Sequence, residues 1–390
     1  MLCLHVGKGV FFVQKKNIVL LCLITFLQGM VFYAAVATLY RQAAGLTVFQ
    51  ITAIEGISVA LAMALEVPWG YLADRIGYRR TLIICNLLFF VTKLIFWKAH
   101  SFAGFLTERI LLAVVISGLS GVDSGMLYLS APPEFSQRNR GWYQAAGEAG
   151  MLLSGLIYTL LLSGRYRAAA LWTAVTYALA AVLTFFLAEV RPEAELCRKR
   201  RLLPLIRGHF RVPGMAALVL CGALFFEITH CVAVWFGQLQ YIRCGMGDRA
   251  VGAAFVIVSA SALCGPFSAP LTRRLGPLRT GRVLLVSAAV IMGILALTRS
   301  AVLSVLLIVL TAALTALFGP LAGKLENDLI TVPDRATALS LNAMLRDSLI
   351  ILIDLGLGRA ADISLSLTLG LCCIGCILAL LAFILYCHMQ

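Results

Sequence analysis

Several ionisable side chains lie inside long apolar stretches of this sequence, where an unpaired charge would be costly. Glu227 and His230 are three residues apart, a spacing that places both on one face of a helix. Arg346 and Asp347 are neighbours in another apolar stretch. Groups of this kind hold a proton or a charged solute, or they form pairs that only pack helices together. We predict that Glu227 is the site of a proton or of a cationic solute.

Arg346 is a candidate partner of Glu227, because an arginine within reach would stabilise the carboxylate of Glu227. We expect Arg346 to be the charge partner of Glu227 or the anchor of an anionic solute. Asp347 is a competing partner for Arg346, although neighbours in a helix point about 100° apart. Gln28 is a further polar candidate near the middle of the first apolar stretch.

The elements that must position these groups are membrane helices. Of the 390 residues, 61% are hydrophobic and 13% are charged, whereas soluble chains carry about 25% charged residues. The apolar runs are continuous, so they do not fit the alternating strands of a membrane barrel. The sequence predicts an all-α membrane protein, because helices satisfy their own backbone in lipid. We expect twelve transmembrane helices, at about 17–40, 48–70, 81–98, 101–130, 141–164, 168–190, 214–241, 249–271, 282–299, 301–323, 336–358 and 364–387.

The net charge of +14 is explained by the loops between these helices. Most Lys and Arg residues fall on one side if both termini are cytoplasmic, as the positive-inside bias requires. We therefore expect membrane lipid as a partner of these loops and no nucleic acid. We also expect a monomer in a bacterial cytoplasmic membrane. The basic segment 191–213 predicts a cytoplasmic linker between two six-helix bundles, 1–190 and 214–390.

The stretch GYLADRIGYRR, residues 70–80, carries a cluster of charges between the second and third predicted helices. Gly70 permits a close helix approach and Gly77 permits a tight turn. Asp74 can accept charge-assisted bonds from an arginine or from a helix N-terminus, which predicts a latch on the cytoplasmic side. A weaker copy, TRRLGPLR, begins at Thr272, and aligning Gly77 with Gly276 makes the chain a parallel repeat.

This stretch resembles the loop motif of the major facilitator superfamily. The motif positions present, taken as the cytoplasmic gate motif, are Gly70, Asp74, Arg75, Gly77 and Arg79. Tyr78 departs from the family pattern, which usually has a basic residue there. The resemblance implies two six-helix pseudo-repeats, a secondary transporter that works by alternating access, and a seventh helix that borders the central cavity. The fifth helix lacks the Gly-Pro signature of the family's drug–proton antiporters.

The remaining charges are sorted by depth along the predicted helices. A secondary charge network near the cytoplasmic side is expected to comprise Glu66, Asp123 and Glu148. Glu55 and Asp354 lie in the outer part of their helices. Lys93 lies near a helix end, where its long side chain can snorkel to the interface.

Cofactor and enzyme motifs are absent from the sequence. It contains no Gly-rich nucleotide loop, no HExxH and no GxSxG, so we expect no cofactor and no enzyme activity. Cys373 and Cys376 are interpreted as buried thiols rather than as a metal site. The predicted function is the transport of a small solute coupled to protons. The alternatives are a sensor or lipid scramblase on the same fold or, less favoured, an intramembrane enzyme.

Overall fold

Helices and the turns that join them make up the described part of this chain. The computed structural model describes residues 2–120, 122–130, 136–190, 212–329 and 335–389. Within these ranges, the side chains that it does not describe are those of residues 2–15, 67, 70, 73, 74, 124, 136–138 and 335–340.

Sixteen α-helices lie in these ranges, and several predicted spans consist of two consecutive helices. The helices are α1 Leu2–Gly29, α2 Ala37–Ala43, α3 Val48–Ile76, α4 Tyr78–Lys98, α5 Phe102–Leu119, α6 Val122–Leu129, α7 Ser136–Ile157, α8 Tyr166–Thr184, α9 Met215–Cys231, α10 Gly237–Arg243, α11 Asp248–Ala260, α12 Ser268–Leu275, α13 Pro277–Leu297, α14 Ala301–Leu329, α15 Arg335–Ile363 and α16 Leu365–Met389.

Eleven segments of the described chain are long and apolar enough to cross a membrane. The helix α15 matches the predicted span 336–358 but is not among them, since it carries three charged residues, Arg346, Asp347 and Asp354, within its apolar sequence. The predicted span 101–130 was too long for one straight crossing, and it is divided into α5 and α6. The all-helical membrane fold predicted from composition is confirmed.

The first and seventh predicted spans are interrupted at related places. A short 3₁₀ turn, Ala34–Val36, separates α1 from α2, and a π-helical turn, Val232–Phe236, joins α9 to α10. In the first span, the interruption leaves backbone groups without partners in their own helix, and side chains of α8 bind them. Phe32 N–H donates to Thr173 Oγ1 over 3.0 Å. Interrupted helices of this kind mark functional regions in membrane transporters.

The chain divides into two compact units. The first comprises residues 1–35 and 57–197, and the second comprises 36–56 and 198–390. This division differs from the predicted bundles in one respect, because residues 36–56 make their contacts within the second unit. The domain limits of 1–190, 191–213 and 214–390 otherwise stay a prediction from sequence, and most of the linker lies outside the described residues.

The first unit is held by a tight crossing of α1 and α7. A Cβ atom added at Gly150 would overlap the carbonyl oxygen of Phe26, and one at Gly29 would overlap the carbonyl oxygen of Gly147. Only glycine permits this approach. Nearby, Leu21 packs into the apolar core of this unit, which also includes residues of α4, α6 and α8.

The second unit has an aromatic core that joins three helices. The ring centroids of Phe225 on α9 and Phe318 on α14 are 4.8 Å apart, and Phe383 on α16 lies 6.2 Å from Phe318. All three rings are fully buried. This packing fixes α9, the helix that carries Glu227, against two neighbours.

The repeat proposed from the two loop motifs is visible in the backbone. Gly77 has φ 91° and ψ 152°, and Gly276 has φ 80° and ψ 153°. Each glycine precedes the first residue of a helix, α4 or α13, and each adopts a conformation that other residues rarely adopt. The alignment of Gly77 with Gly276 is therefore supported by matching local structure.

Candidate functional site

Glu227 lies in a buried cluster of polar side chains in the second unit. Its Oε1 is 3.3 Å from Nδ1 of His230, one turn further along α9, as their spacing predicted. The same oxygen is 3.3 Å from Sγ of Cys231. Glu227 is only 6% exposed, whereas His230 is exposed. The imidazole therefore lies at the accessible edge of the cluster.

Asp354 of α15 completes this cluster. Its Oδ1 is 3.4 Å from Sγ of Cys231, and donor atoms of Glu227, Cys231 and Asp354 all lie within 4.8 Å of one another. Asp354 is 2% exposed. The sequence predicts Asp354 in the outer part of its helix and does not link it to Glu227. A contact between two helices that are distant in sequence has no periodic signal, so the pair could not be found that way.

The cluster has more acceptors than donors. A thiol has one proton, so Cys231 can donate to Glu227 or to Asp354 but not to both. Two carboxylates at this separation repel each other strongly when shielded from water. A proton held between the two carboxyl groups removes that repulsion and supplies the missing donor. We use the name acid pair for Glu227 and Asp354.

Arg346 has a different partner from the one expected. Its Nη1 donates to both carboxylate oxygens of Glu326 on α14, over 3.1 and 3.0 Å, and not to Glu227. Asn342 Nδ2 donates to the same carboxylate over 2.6 Å. The predicted pairing of Glu227 with Arg346 was therefore wrong. Asp347, the neighbour of Arg346 on α15, is half-buried.

Glu326 was missed because the predicted span 301–323 ended before it. In the structure α14 continues to Leu329, which places this carboxylate, 8% exposed, inside the unit. Arg346 is partly exposed, and its charge is balanced by Glu326. The pair therefore joins α14 to α15 by a charge-assisted contact.

Gln28 lies in the first unit. Its Nε2 donates to Oδ1 of Asn86 over 2.6 Å, and its backbone oxygen accepts from the hydroxyl of Tyr177 over 2.7 Å. Gln28 also lines a small cavity of about 40 Å³, together with Asp123 and Tyr143. A cavity of this size has room for a water molecule.

The three acids of the expected secondary network have different surroundings. Asp123 accepts from the hydroxyl of Tyr143 over 2.9 Å. Glu66 and Glu148 are exposed. Their joint action in one network stays a prediction.

The gate motif is described in part. Arg75 lies over the ring of Tyr71, 4.5 Å from its centroid. Arg79 donates from its backbone N–H to Glu189 over 3.2 Å and from Nη2 to the carbonyl oxygen of Phe185 over 2.8 Å. These contacts tie the start of α4 to the residues after α8. The side chain of Asp74 and the surroundings of Gly70 lie outside the described part of the structure, so the latch at Asp74 stays a prediction.

Lys93 does not snorkel, contrary to the expectation from its position. It is 5% exposed and lies 3.6 Å from Oε1 of Glu108, which is 1% exposed. Its ammonium group also faces the rings of Phe89 and Tyr177, at 5.1 and 5.2 Å from their centroids. A carboxylate on the next helix and this aromatic surround hold the charge inside the unit.

The fold and the buried charges together define a polytopic, all-helical membrane protein. The family model of the Major Facilitator Superfamily matches residues 18–353. The chain belongs to this superfamily, as the loop motif had indicated.

A curated relative matches part of the chain. The inner membrane transport protein YnfM of Escherichia coli (strain K12) is 30% identical over 237 residues, which cover 57% of this chain and 53% of that protein. The match thus spans about half the length of the curated relative.

The solved structures share the fold at low identity. The nucleoside transporter NupG has a TM-score of 0.79 at 12% identity, covering 97% of this chain and all of the other (100%). A bacterial homologue of the human lysosomal transporter Spinster has a TM-score of 0.74 at 16% identity, covering 97% and 98%. A D-xylose–proton symporter has a TM-score of 0.74 at 14% identity, covering 96% and 97%.

Proposed function

We propose that this protein is a secondary active transporter that moves a small solute by alternating access and couples that movement to protons. The observation that carries the proposal is the acid pair. Two carboxyl groups from different helices, both almost fully buried, lie within 4.8 Å of each other, and both contact the Cys231 thiol. A proton carrier needs an ionisable group in a site shielded from water. There, gaining or losing a proton changes the free energy of the protein strongly.

The acid pair can act as such a carrier in two protonation states. With one proton, Glu227 and Asp354 bond to each other or to Cys231, and the cluster is compact. Without it, two negative charges are buried together and a conformation that admits water or a cationic partner is favoured. His230, exposed and 3.3 Å from Glu227, is the group through which a proton would enter or leave. We assign Arg346 and Gln28 supporting roles in transport. Arg346 joins α14 to α15.

The substrate is proposed only as a class. NupG is a nucleoside transporter and the D-xylose–proton symporter carries a sugar with protons, so both are named for small polar solutes. We propose a small polar solute for this chain too. The protein would act as a monomer in a bacterial cytoplasmic membrane, with both termini on the cytoplasmic side, where the basic loops meet anionic lipid.

The test separates coupling from solute binding in reconstituted vesicles. A panel of nucleosides and sugars is first screened for thermal stabilisation of the purified protein, which identifies a solute to assay. Glu227→Gln is then compared with wild type for proton-driven accumulation and for solute exchange without a gradient. We expect accumulation to be lost and exchange to be retained, because the amide keeps the shape of the side chain but cannot carry a proton.

Asp328→Asn is the matched control, because Asp328 is an exposed carboxylate on α14. It should accumulate solute as wild type does. Wild-type accumulation in Glu227→Gln would remove the acid pair from the mechanism. A protein that binds a solute but neither accumulates nor exchanges it would instead be a sensor.

A further inference from the structure

The small cavity that Gln28 lines is enclosed by helices of the first unit. Its volume is about 40 Å³, and its lining residues come from α1 and from the helices α4 to α8, with one residue just after α8. The apolar lining residues are all leucine or isoleucine, and most of them belong to the core of this unit. The polar lining residues are Thr25, Gln28, Asn86, Asp123, Tyr143 and Thr184.

Tight helix contacts hold the polar side chains around this cavity. Thr25 and Gln28 are three positions apart, so they lie on the same face of α1. A Cβ atom added at Gly147 of α7 would lie 3.0 Å from Cγ2 of Thr25, so α7 packs directly against that side chain. Gln28 is held on its other side by the bond from its Nε2 to Asn86 on α4. The polar groups are therefore positioned by helices and not by loops.

The hydroxyl protons of Tyr143 and Thr184 are already bonded to protein acceptors. Tyr143 donates to Oδ2 of Asp123 over 2.9 Å, and Thr184 donates to the carbonyl oxygen of Ala181 over 2.6 Å. A hydroxyl group has one proton, so the oxygens of these two residues can only accept further bonds. The Asp123 carboxylate is also only an acceptor. The cavity is therefore rich in oxygen lone pairs and poor in protons.

Thr25 adds a further oxygen to this set. Its Oγ1 is buried and has no hydrogen-bond partner of ordinary geometry among the described residues. A buried polar atom in that situation is uncommon and indicates a bound water or ion. A single water molecule makes about three hydrogen bonds and has only two protons to donate, whereas a cation can bind the lone pairs of all surrounding oxygens at once.

The chemistry of the lining groups selects the kind of cation. Neither a thiol nor an imidazole is among the described lining residues, and hard oxygen atoms suit alkali and alkaline-earth ions rather than transition metals. Asp123 is the single carboxylate of the described lining, which matches one positive charge better than the charge of Ca²⁺. Mg²⁺ usually keeps several waters, for which this cavity is too small. Na⁺ fits both the charge and the volume, and K⁺ is larger.

We propose that this cavity is a Na⁺ site in which Asp123, Thr25 and Gln28 supply oxygen ligands. This inference goes beyond the proposed function, because the acid pair belongs to the second unit and the cavity to the first. Apolar walls screen the attraction between the ion and the carboxylate only weakly. Bound Na⁺ joins α1 to α6 and so strengthens the packing of the first unit.

The first experiment measures binding to the purified wild-type protein. Thermal unfolding is followed in the chlorides of Na⁺, K⁺ and choline at equal ionic strength. We expect Na⁺ to raise Tm on the order of 5 °C above the value in choline, because a ligand of the folded state stabilises it. K⁺ should raise Tm much less. Radioactive sodium, measured by scintillation proximity, should bind saturably and should be displaced by unlabelled Na⁺ but not by choline.

Two substitutions of similar shape test the ligands. Asp123→Asn should abolish sodium binding and the rise of Tm in Na⁺. Thr25→Val should weaken sodium binding on the order of tenfold. It removes only a neutral hydroxyl group, so it decides the question if Asp123→Asn fails to fold. The matched controls are Asp328→Asn, an exposed acid, and Ser154→Ala, whose hydroxyl bonds within α7; both should bind sodium as wild type does.

The outcomes also separate this site from the acid pair. Equal Tm values in Na⁺ and choline, without saturable sodium binding, would overturn the proposal and leave a water in the cavity. Sodium binding of wild-type affinity in Thr25→Val and Asp123→Asn would place the ion elsewhere and overturn it too. Glu227→Gln should bind sodium normally. Proton-driven accumulation by Glu227→Gln would remove the proposed function and leave the Na⁺ site standing.

Discussion

The partner of Arg346 can be determined by removing its charge. Arg346→Met leaves Glu326 as a largely buried carboxylate whose remaining donor, among the residues that the structure describes, is Asn342. Removing one partner of a buried ion pair lowers the free energy of unfolding by about 3–5 kcal/mol. Arg346 keeps 28% of its side chain exposed, so we expect the lower end, about 3 kcal/mol. In a unit of this size that corresponds to a fall in Tm on the order of 10 °C.

A double-mutant cycle identifies the partner from this loss. Thermal unfolding of the purified protein is measured for Arg346→Met, Glu326→Gln, Glu227→Gln and the two doubles that contain Arg346→Met. Adding Glu326→Gln to Arg346→Met should recover much of the lost stability, because residue 326 then no longer carries an unpaired buried charge. The effects of Glu227→Gln and Arg346→Met on the free energy of unfolding should add within about 0.5 kcal/mol. Strong coupling of Arg346 to Glu227, with none to Glu326, would refute this account of the pair.

Two further predictions concern the fold. Gly150→Ala should prevent normal folding or lower Tm strongly, because its Cβ would overlap the carbonyl oxygen of Phe26. Gly141→Ala on the same helix has open space and should leave Tm unchanged or raise it slightly. Equal effects of the two substitutions on Tm would contradict the tight crossing of α1 and α7. Labelling from outside intact cells should reach Arg165→Cys but not Arg279→Cys, both exposed positions, and the reverse pattern would overturn the proposed orientation.

The fold was predictable from this sequence because its signals are local. Hydropathy located the spans, and the length of 101–130 required the division into α5 and α6. The loop motif at Gly77 and its copy at Gly276 depend on a backbone conformation that few residues other than glycine adopt, so the sequence alone aligns the two loops. These features need no knowledge of which helices touch.

The candidate site was predictable only in part, since its pairings are not local. Glu227 and His230 were found by their spacing, but Asp354 joins them from a helix more than 120 positions away. Depth alone assigned Lys93 to the interface, whereas Glu108 on the next helix and the surrounding rings keep it buried. Single-helix patterns cannot show which neighbour supplies a counter-charge.

Arginines predicted to lie in loops show the same limit. Sequence counting treats every loop charge as a topology signal. Arg167 instead donates to the carbonyl oxygens of Trp97 and Ala99. Arg243 donates to the carbonyl oxygen of Thr298 over 2.8 Å. Both arginines bind carbonyl groups at helix ends, which is a structural use of charge that only the folded chain reveals.

The central claim is that the acid pair holds a proton inside the membrane. Infrared difference spectroscopy of the purified protein tests it directly, since a protonated carboxyl group has a carbonyl stretch that a carboxylate lacks. At neutral pH we predict such a band in wild type and in Asp328→Asn, and its loss or shift in both Glu227→Gln and Asp354→Asn. A spectrum without a protonated carboxyl band at neutral pH, or a band unchanged in both acid-pair variants, would contradict the account.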